Sequence, residues 1–257
     1  MAWKKFPYHD VAYAYDAAGL KRAWKRLHAG DAEALPKAPA LLDAWIAFHA
    51  GEFERAVHEG LELGIDGYAV ANKASAIYAH YLESATERKQ ALFQAVAARC
   101  EQQQAGQPHN ASGFYWHAYA LGRYAQHISV MKALAEGIGG KIRSSLDATL
   151  KLAPRHADAH IALGTYHAEI VEKVGALVAG LTYGASRTES IRHFRSALEL
   201  NPGSAIARVE YANALLMLEG ERKADDATAL YREAAASEPH DAMERLDVEL
   251  AKAALEE

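Results

Sequence analysis

The chain has 257 residues, 51% of them apolar and 24% charged, with 7 prolines, one cysteine and a formal charge of −5. That is enough chain for a large core in one long domain or two. One cysteine, Cys100, excludes an intramolecular disulfide and a cysteine-rich zinc site, and the mild negative charge argues against a nucleic-acid backbone as partner.

The N-terminal stretch is basic but has no apolar run behind it, so it is not read as a secretory signal. No segment approaches the roughly 20 apolar residues of a membrane span. A cytoplasmic chain is expected, or a periplasmic one if a signal has been trimmed away. Leu20, Trp24 and Leu27, then Leu41, Trp45 and Phe48, recur at i, i+4 and i+7 and predict one-faced helices. Ala50-Gly51 predicts a turn into a helix over 53–63. Gly64 to Gly67 predicts another turn, followed by helices over about 67–82 and 85–104.

Residues 102–112 are polar and hold Gly106, Pro108 and Asn110. They are the expected linker between an N-terminal helical region of degenerate repeats (1–105) and a C-terminal set of repeats with a cap helix (111–257). Beyond it, helices are expected over about 113–127, 129–137, 141–152, 157–171, 186–200, 204–218, 223–237 and 240–255. Gly139-Gly140 is expected to separate two of them, and Gly175, Gly180 and Gly184 to interrupt the segment after Glu172. The predicted fold class is all-α, with about a dozen helices.

Residues 117–125 read HAYALGRYA and residues 159–167 read AHIALGTYH. Each is followed by a helix ending in Leu-x-Pro, at Leu152 to Pro154 and Leu200 to Pro202. A unit repeating at this scale stacks on its neighbours to bury its apolar face. The pattern resembles the tetratricopeptide repeat family: Leu163, Gly164 and His167 on a first helix, with His160 in the Trp place, then Phe194, Ala197 and Pro202 on a second. Leu121, Gly122 and Ala125 open a preceding unit closed by Pro154. Tyr211, Ala212 and Leu215, then Tyr231, Ala234 and Pro239, make a following one.

The resemblance implies antiparallel helix pairs. It also implies a Gly-to-Pro spacing of about 24 residues, whereas the three spacings here are 32, 38 and 27. The excess lies between the paired helices, at 128–140 and 172–186, and each of these is long enough for an added short helix.

Within that class, Ala159 to Ala168, Gly180 to Gly184 and His193-Phe194 to Leu198 look like the T-component family of tripartite periplasmic transporters. That likeness implies a transport-associated carrier with an apolar cavity near 174–185. Trp116, His117 and Tyr119, with Gly140 to Ile142, carry a weaker likeness to regulators of microtubule dynamics.

In tetratricopeptide repeats, set positions of the first helix line a concave face. The resemblance puts Trp116, Tyr119, Arg123, Gln126 and His127 there in the first unit. Asp158, Ile161, Thr165, Ala168 and Glu169 take those places in the second unit, and Ile206, Val209, Asn213, Leu216 and Met217 in the third. Trp, Tyr and Arg suit a protein or peptide partner, and Arg123 has the fork to clamp a carboxylate. The competing reading fills the groove with the inserted helices and makes these residues core.

His156, His160 and His167, with Asp158 and Glu169 nearby, suggest a metal site, but the repeat assigns His160 and His167 to packing places, which favours hydrogen-bonded core histidines. Cys100 reads as a buried, inert thiol. The apolar run Val174, Ala176, Leu177, Val178, Leu181 and Tyr183 is read first as internal packing. A ligand cavity or a contact between copies of the chain are the alternatives.

No phosphate-binding loop, nucleophile elbow or His-Glu-x2-His motif is present. The expected function is therefore a non-enzymatic scaffold that binds a protein or peptide and takes no cofactor. A small-molecule carrier is the first alternative and a histidine metalloprotein the second.

Overall fold

One-faced apolar spacing and polar caps set the helices of this chain. In the computed structural model, which describes residues 3–256, fourteen α-helices and three 3-10 turns follow one another and no strand occurs among the described residues. The first five are α1 (Ala17–Leu27), α2 (Pro39–His49), α3 (Phe53–Glu62), α4 (Tyr68–Tyr81) and α5 (Thr86–Gly106). Next come α6 (Ala111–Ala125), α7 (Val130–Ala135), α8 (Ile138–Leu152), α9 (Ala157–Val174) and α10 (Ala176–Tyr183). The last four are α11 (Arg187–Leu200), α12 (Ala205–Glu219), α13 (Ala224–Ala235) and α14 (Ala242–Ala254).

The helix starts are chemically marked. The side chains of Asp16, Asn110, Ser129, Ser186 and Ser204 accept backbone N–H groups that the first turns of α1, α6, α7, α11 and α12 leave without a helical partner. Pro39 opens α2, where its missing N–H costs nothing.

Contacts group the helices into two compact units. The first takes in residues up to His28, Glu33–Pro154 and His240–Met243; the second takes in Ala29–Ala32, Arg155–Pro239 and residues from Glu244 onward. The units thus divide after Pro154 rather than within the expected linker. The linker's composition misleads because α5 runs on to Gly106, and Asn110 caps α6 four residues later. Residues 107–110 form a tight turn between two helices that pack on each other.

In the first unit, α4 is the central helix. Every residue from Ala69 to Ala79 is buried, which its run of alanines allows because neighbours can approach from all sides. Its buried Asn72 and Ser75 are hydrogen-bonded to α5. Asn72 donates to Gln103 Oε1 at 3.2 Å, and Arg99 donates to Asn72 Oδ1 at 2.6 Å and to Ser75 Oγ at 3.1 Å. The Lys73 ammonium lies 4.9 Å from the centre of the Phe48 ring. Cys100 is buried on α5, as expected, and burial pushes its thiol pKa up.

In the second unit the repeat geometry is plain. A Cβ built on Gly164 would lie 2.7 Å from the Phe194 ring, so only a glycine lets α9 and α11 cross this closely. Phe194 and Ala197 are fully buried, and Phe194 stacks on Tyr211 of α12 at 5.2 Å. Ala212, Tyr231 and Ala234 join α12 to α13, and Val248 and Ala251 of α14 close the same cluster.

Both inserts do form added helices, α7 and α10. The glycine reading of the inserts needs two corrections. Gly139-Gly140 lies inside the first turn of α8, and the break falls at Gly137. Gly175 and Gly184, at φ +78° and +59°, bound α10, whereas Gly180 lies within it.

The expected internal packing of the second insert is also not what the structure shows. Among α10 residues only Ala179 is buried, while Leu177 and Leu181 are 76% and 82% exposed. Gly175 and Gly180 have open space where a neighbouring helix would have to approach. Side chains that would line an apolar cavity instead face solvent.

Candidate functional site

The first unit gathers a basic, aromatic cluster where the end of α4, the start of α5 and the end of α6 meet. Helical spacing puts Tyr119 and Arg123 one turn apart on α6, and the Arg123 guanidinium lies over the Tyr119 ring at 5.3 Å. His80, in the last turn of α4, packs edge-on against Tyr119 at 6.4 Å and against Tyr81 at 4.3 Å. Lys89 of α5 reaches the His80 carbonyl at 3.5 Å. Gln90 donates to the His127 carbonyl at 2.6 Å, and Phe93 stacks with the His127 ring at 6.4 Å.

The electrostatics of this cluster are one-sided. Burial holds the His80 pKa well below the ordinary histidine value, and Arg123, Lys89 and His127 push it in the same direction. Burial, Lys89 and Arg123 likewise lower His127. His80 Nε2 is a buried ring nitrogen with no hydrogen-bond partner. A cationic cluster around such a nitrogen is suited to accept an anionic group, with Tyr119 as an apolar wall beside it.

Of the residues expected on a binding face, Tyr119, Arg123 and His127 meet in this cluster, and exposed Gln126 borders it by accepting from Arg123 at 3.4 Å. Trp116 does not reach the surface: it is 2% exposed and packs against Tyr115 and Tyr119. In the second unit the expected residues are held by intramolecular partners. Asp158 is buried and its backbone N–H donates to the Gly30 carbonyl at 3.0 Å. Thr165 donates to Glu210 at 3.4 Å, Glu169 pairs with Lys173 at 2.9 Å, and Asn213 accepts from Tyr231. His80 and Lys89 escape a reading of the repeat because they precede its recognisable part. The run His80-Tyr81, facing the aromatic residues of α6, was the available signal.

The histidines of the second unit sort differently from the expected trio. His156 is the cap of α9, its Nδ1 accepting the Ala159 N–H at 3.1 Å. His160 and His167 lie on α9 and meet His193 of α11: His160 Nδ1 is 2.8 Å from His193 Nδ1, and the His167 and His193 rings stack at 5.6 Å. Arg192 Nη2 carries only donors and lies 3.2 Å from His193 Nε2, so that nitrogen accepts. Neutral His193 therefore keeps its proton on Nδ1 and donates it to His160. Burial, then Arg192 and the two neighbouring histidines, lower the His193 pKa to about 3. His167 Nδ1 accepts the Ser186 N–H at 3.3 Å.

The fold has a solved counterpart. The crystal structure of a thermophilic tetratricopeptide-repeat protein of Thermus thermophilus superposes with a TM-score of 0.59 at 16% identity, covering 83% of this chain and 97% of that one. A family model described as Regulator of microtubule dynamics protein 1-3 matches residues 65–256. The chain belongs to that family. No curated protein matches it.

The microtubule-dynamics regulator family is not the transporter T-component family expected from the Leu-Gly helix, the insert glycines and His193-Phe194. The misassignment has a physical source. Gly164, Phe194 and Ala197 are packing positions of any such helix pair, and two of the insert glycines bound a short helix with open space where a Cβ would stand. The family's matched region begins in the turn before α4 and includes both the basic cluster and the histidine group. No described helix is long and apolar enough to cross a membrane.

Proposed function

We propose that this member of the microtubule-dynamics regulator family is a non-enzymatic scaffold that binds an acidic peptide segment of a partner protein. The binding face is formed by His80, Lys89, Tyr119, Arg123 and His127. The observation that carries this reading is the one-sided field at His80, where Arg123, Lys89 and His127 act on a buried ring nitrogen that makes no hydrogen bond. A Glu or Asp side chain, or a peptide C-terminus, brings a negative charge and acceptor oxygens to this field. Arg123 is the natural anchor, since its planar fork matches a carboxylate and Tyr119 holds one of its faces.

The family's name points to microtubules, which makes tubulin the first protein to assay. The test is capture of partners from a cell extract by wild type and by Arg123→Ala, the variant folding as the wild type does. The proposal expects at least one partner to be lost with Arg123. An unchanged partner set contradicts it.

A further inference from the structure

The histidine group between α9 and α11 carries a second, separate reading. A ring nitrogen of His167, a ring nitrogen of His193 and a carboxylate oxygen of Glu189 all lie within 4.8 Å of one another. Glu189 and His193 are one turn apart on α11 and therefore share a face, and His167 comes to them from α9. Two nitrogens and one carboxylate form a donor set suited to zinc, whose bonds to such atoms are about 2.0–2.2 Å.

The present occupant of part of this space is a cationic side chain. Arg192 Nη2 lies 2.5 Å from Glu189 Oε2 and 3.2 Å from His193 Nε2. One positively charged N–H group thus sits between lone pairs of two of the three residues. Those lone pairs converge on a point where a cation is already held.

His193 is also oriented as a ligand would be. Its Nδ1–H is taken by His160 Nδ1 at 2.8 Å, which fixes Nε2 as the lone-pair atom. The Arg192 side chain is 55% exposed, so a guanidinium displaced from Glu189 and His193 has solvent to move into.

We propose that His167, Glu189 and His193 bind a divalent ion of the zinc class, that His160 orients His193, and that the ion displaces the Arg192 guanidinium. Tetrahedral coordination places ligand atoms roughly 3.3 Å apart, so binding draws the three side chains inward by at most about 1.5 Å. Binding through the His167 nitrogen remote from Ser186 moves the ring proton to Nδ1 and releases the 3.3 Å bond from the Ser186 N–H.

The experiment is a titration of the full-length, metal-stripped protein with zinc chloride in competition with a chromogenic chelator, for the wild type and three variants. Wild type should take up one equivalent. Glu189→Gln should bind at least about tenfold more weakly, and His193→Asn should lose the site. Arg192→Gln, which removes the competing cation, should bind at least about tenfold more tightly. Glu189 and Arg192 are not core residues, so these two variants decide the matter even where His193→Asn fails to fold. Zinc uptake equal in wild type and Glu189→Gln, no uptake by wild type, or no tightening in Arg192→Gln overturns the proposal.

Discussion

The guanidinium of Arg123 lies 5.3 Å from the centre of the Tyr119 ring. The pair is one helical turn long, so α6 fixes both side chains at once. Tyr119 stabilises the guanidinium in place by a cation–π contact, of order 0.5–1 kcal/mol at a partly exposed site. Replacing Tyr119 with Leu keeps the apolar wall and removes that contact. Acidic-peptide affinity should then fall about two- to fivefold, measured by calorimetry, with thermal stability little changed.

His80 links the same cluster to pH. Its folded pKa lies below the unfolded value of about 6.5. The unfolded chain therefore binds more protons than the folded one as pH drops through 6.5. The contribution of neutral His80 to stability is present above that pH and is lost as pH falls below it. Urea unfolding of wild type and His80→Gln at several pH values between 7.5 and 5 should show a shallower acid loss in the variant. An anionic ligand beside His80 favours its charged form, so peptide affinity should rise over the same fall in pH.

Gly164 and Gly122 hold equivalent places in the repeat but differ in their surroundings. A Cβ at Gly164 meets Phe194 at 2.7 Å, while one at Gly122 meets nothing within 4 Å. Gly164→Ala should destabilise the protein by about 1–3 kcal/mol through overpacking. Gly122→Ala should be neutral, or stabilising by up to about 1 kcal/mol through helix propensity. Denaturant midpoints of the two variants check this, and a Gly122→Ala loss as large as that of Gly164→Ala would contradict it.

His49 and Asp241 are 192 positions apart in sequence, yet His49 Nδ1 is 2.7 Å from Asp241 Oδ2 in the buried core of the first unit. The His49 ring also packs among Trp24, His28, Trp45 and Phe48. Asp241→Ala removes the partner of a buried ring and should cost about 2–4 kcal/mol, read from the unfolding midpoint. Loss of less than about 0.5 kcal/mol would mean that the contact adds little to the fold.

Helix positions were legible in the sequence because they follow from local signals. The apolar spacing of Leu20, Trp24 and Leu27 and the Leu-x-Pro closures each act within a few residues. Gly164 facing Phe194 was legible for the same reason, since a repeat carries its own pairing rule. The meeting of His80 with Tyr119 was not legible. It depends on how the degenerate helix α4 packs against α6, and α4 is so uniformly buried that it carries little one-sided pattern.

Likewise, the repeat register assigned His160 and His167 to packing places and gave no sign that α11 would set His193 and Glu189 beside them. The exposure of Leu177 and Leu181 runs against simple hydropathy. An apolar run bounded by two glycines of positive φ stands away from the core instead of joining it.

The binding face is tested most directly by fluorescence anisotropy with a labelled peptide carrying several glutamates around a central leucine. Wild type should bind it, more weakly as salt is raised, while a peptide with glutamines in place of the glutamates should not bind. Arg123→Ala should weaken binding about tenfold or more, in line with loss of a charge-assisted hydrogen bond. Equal binding of the acidic and neutral peptides, or equal affinity of wild type and Arg123→Ala, would contradict the assignment of this face.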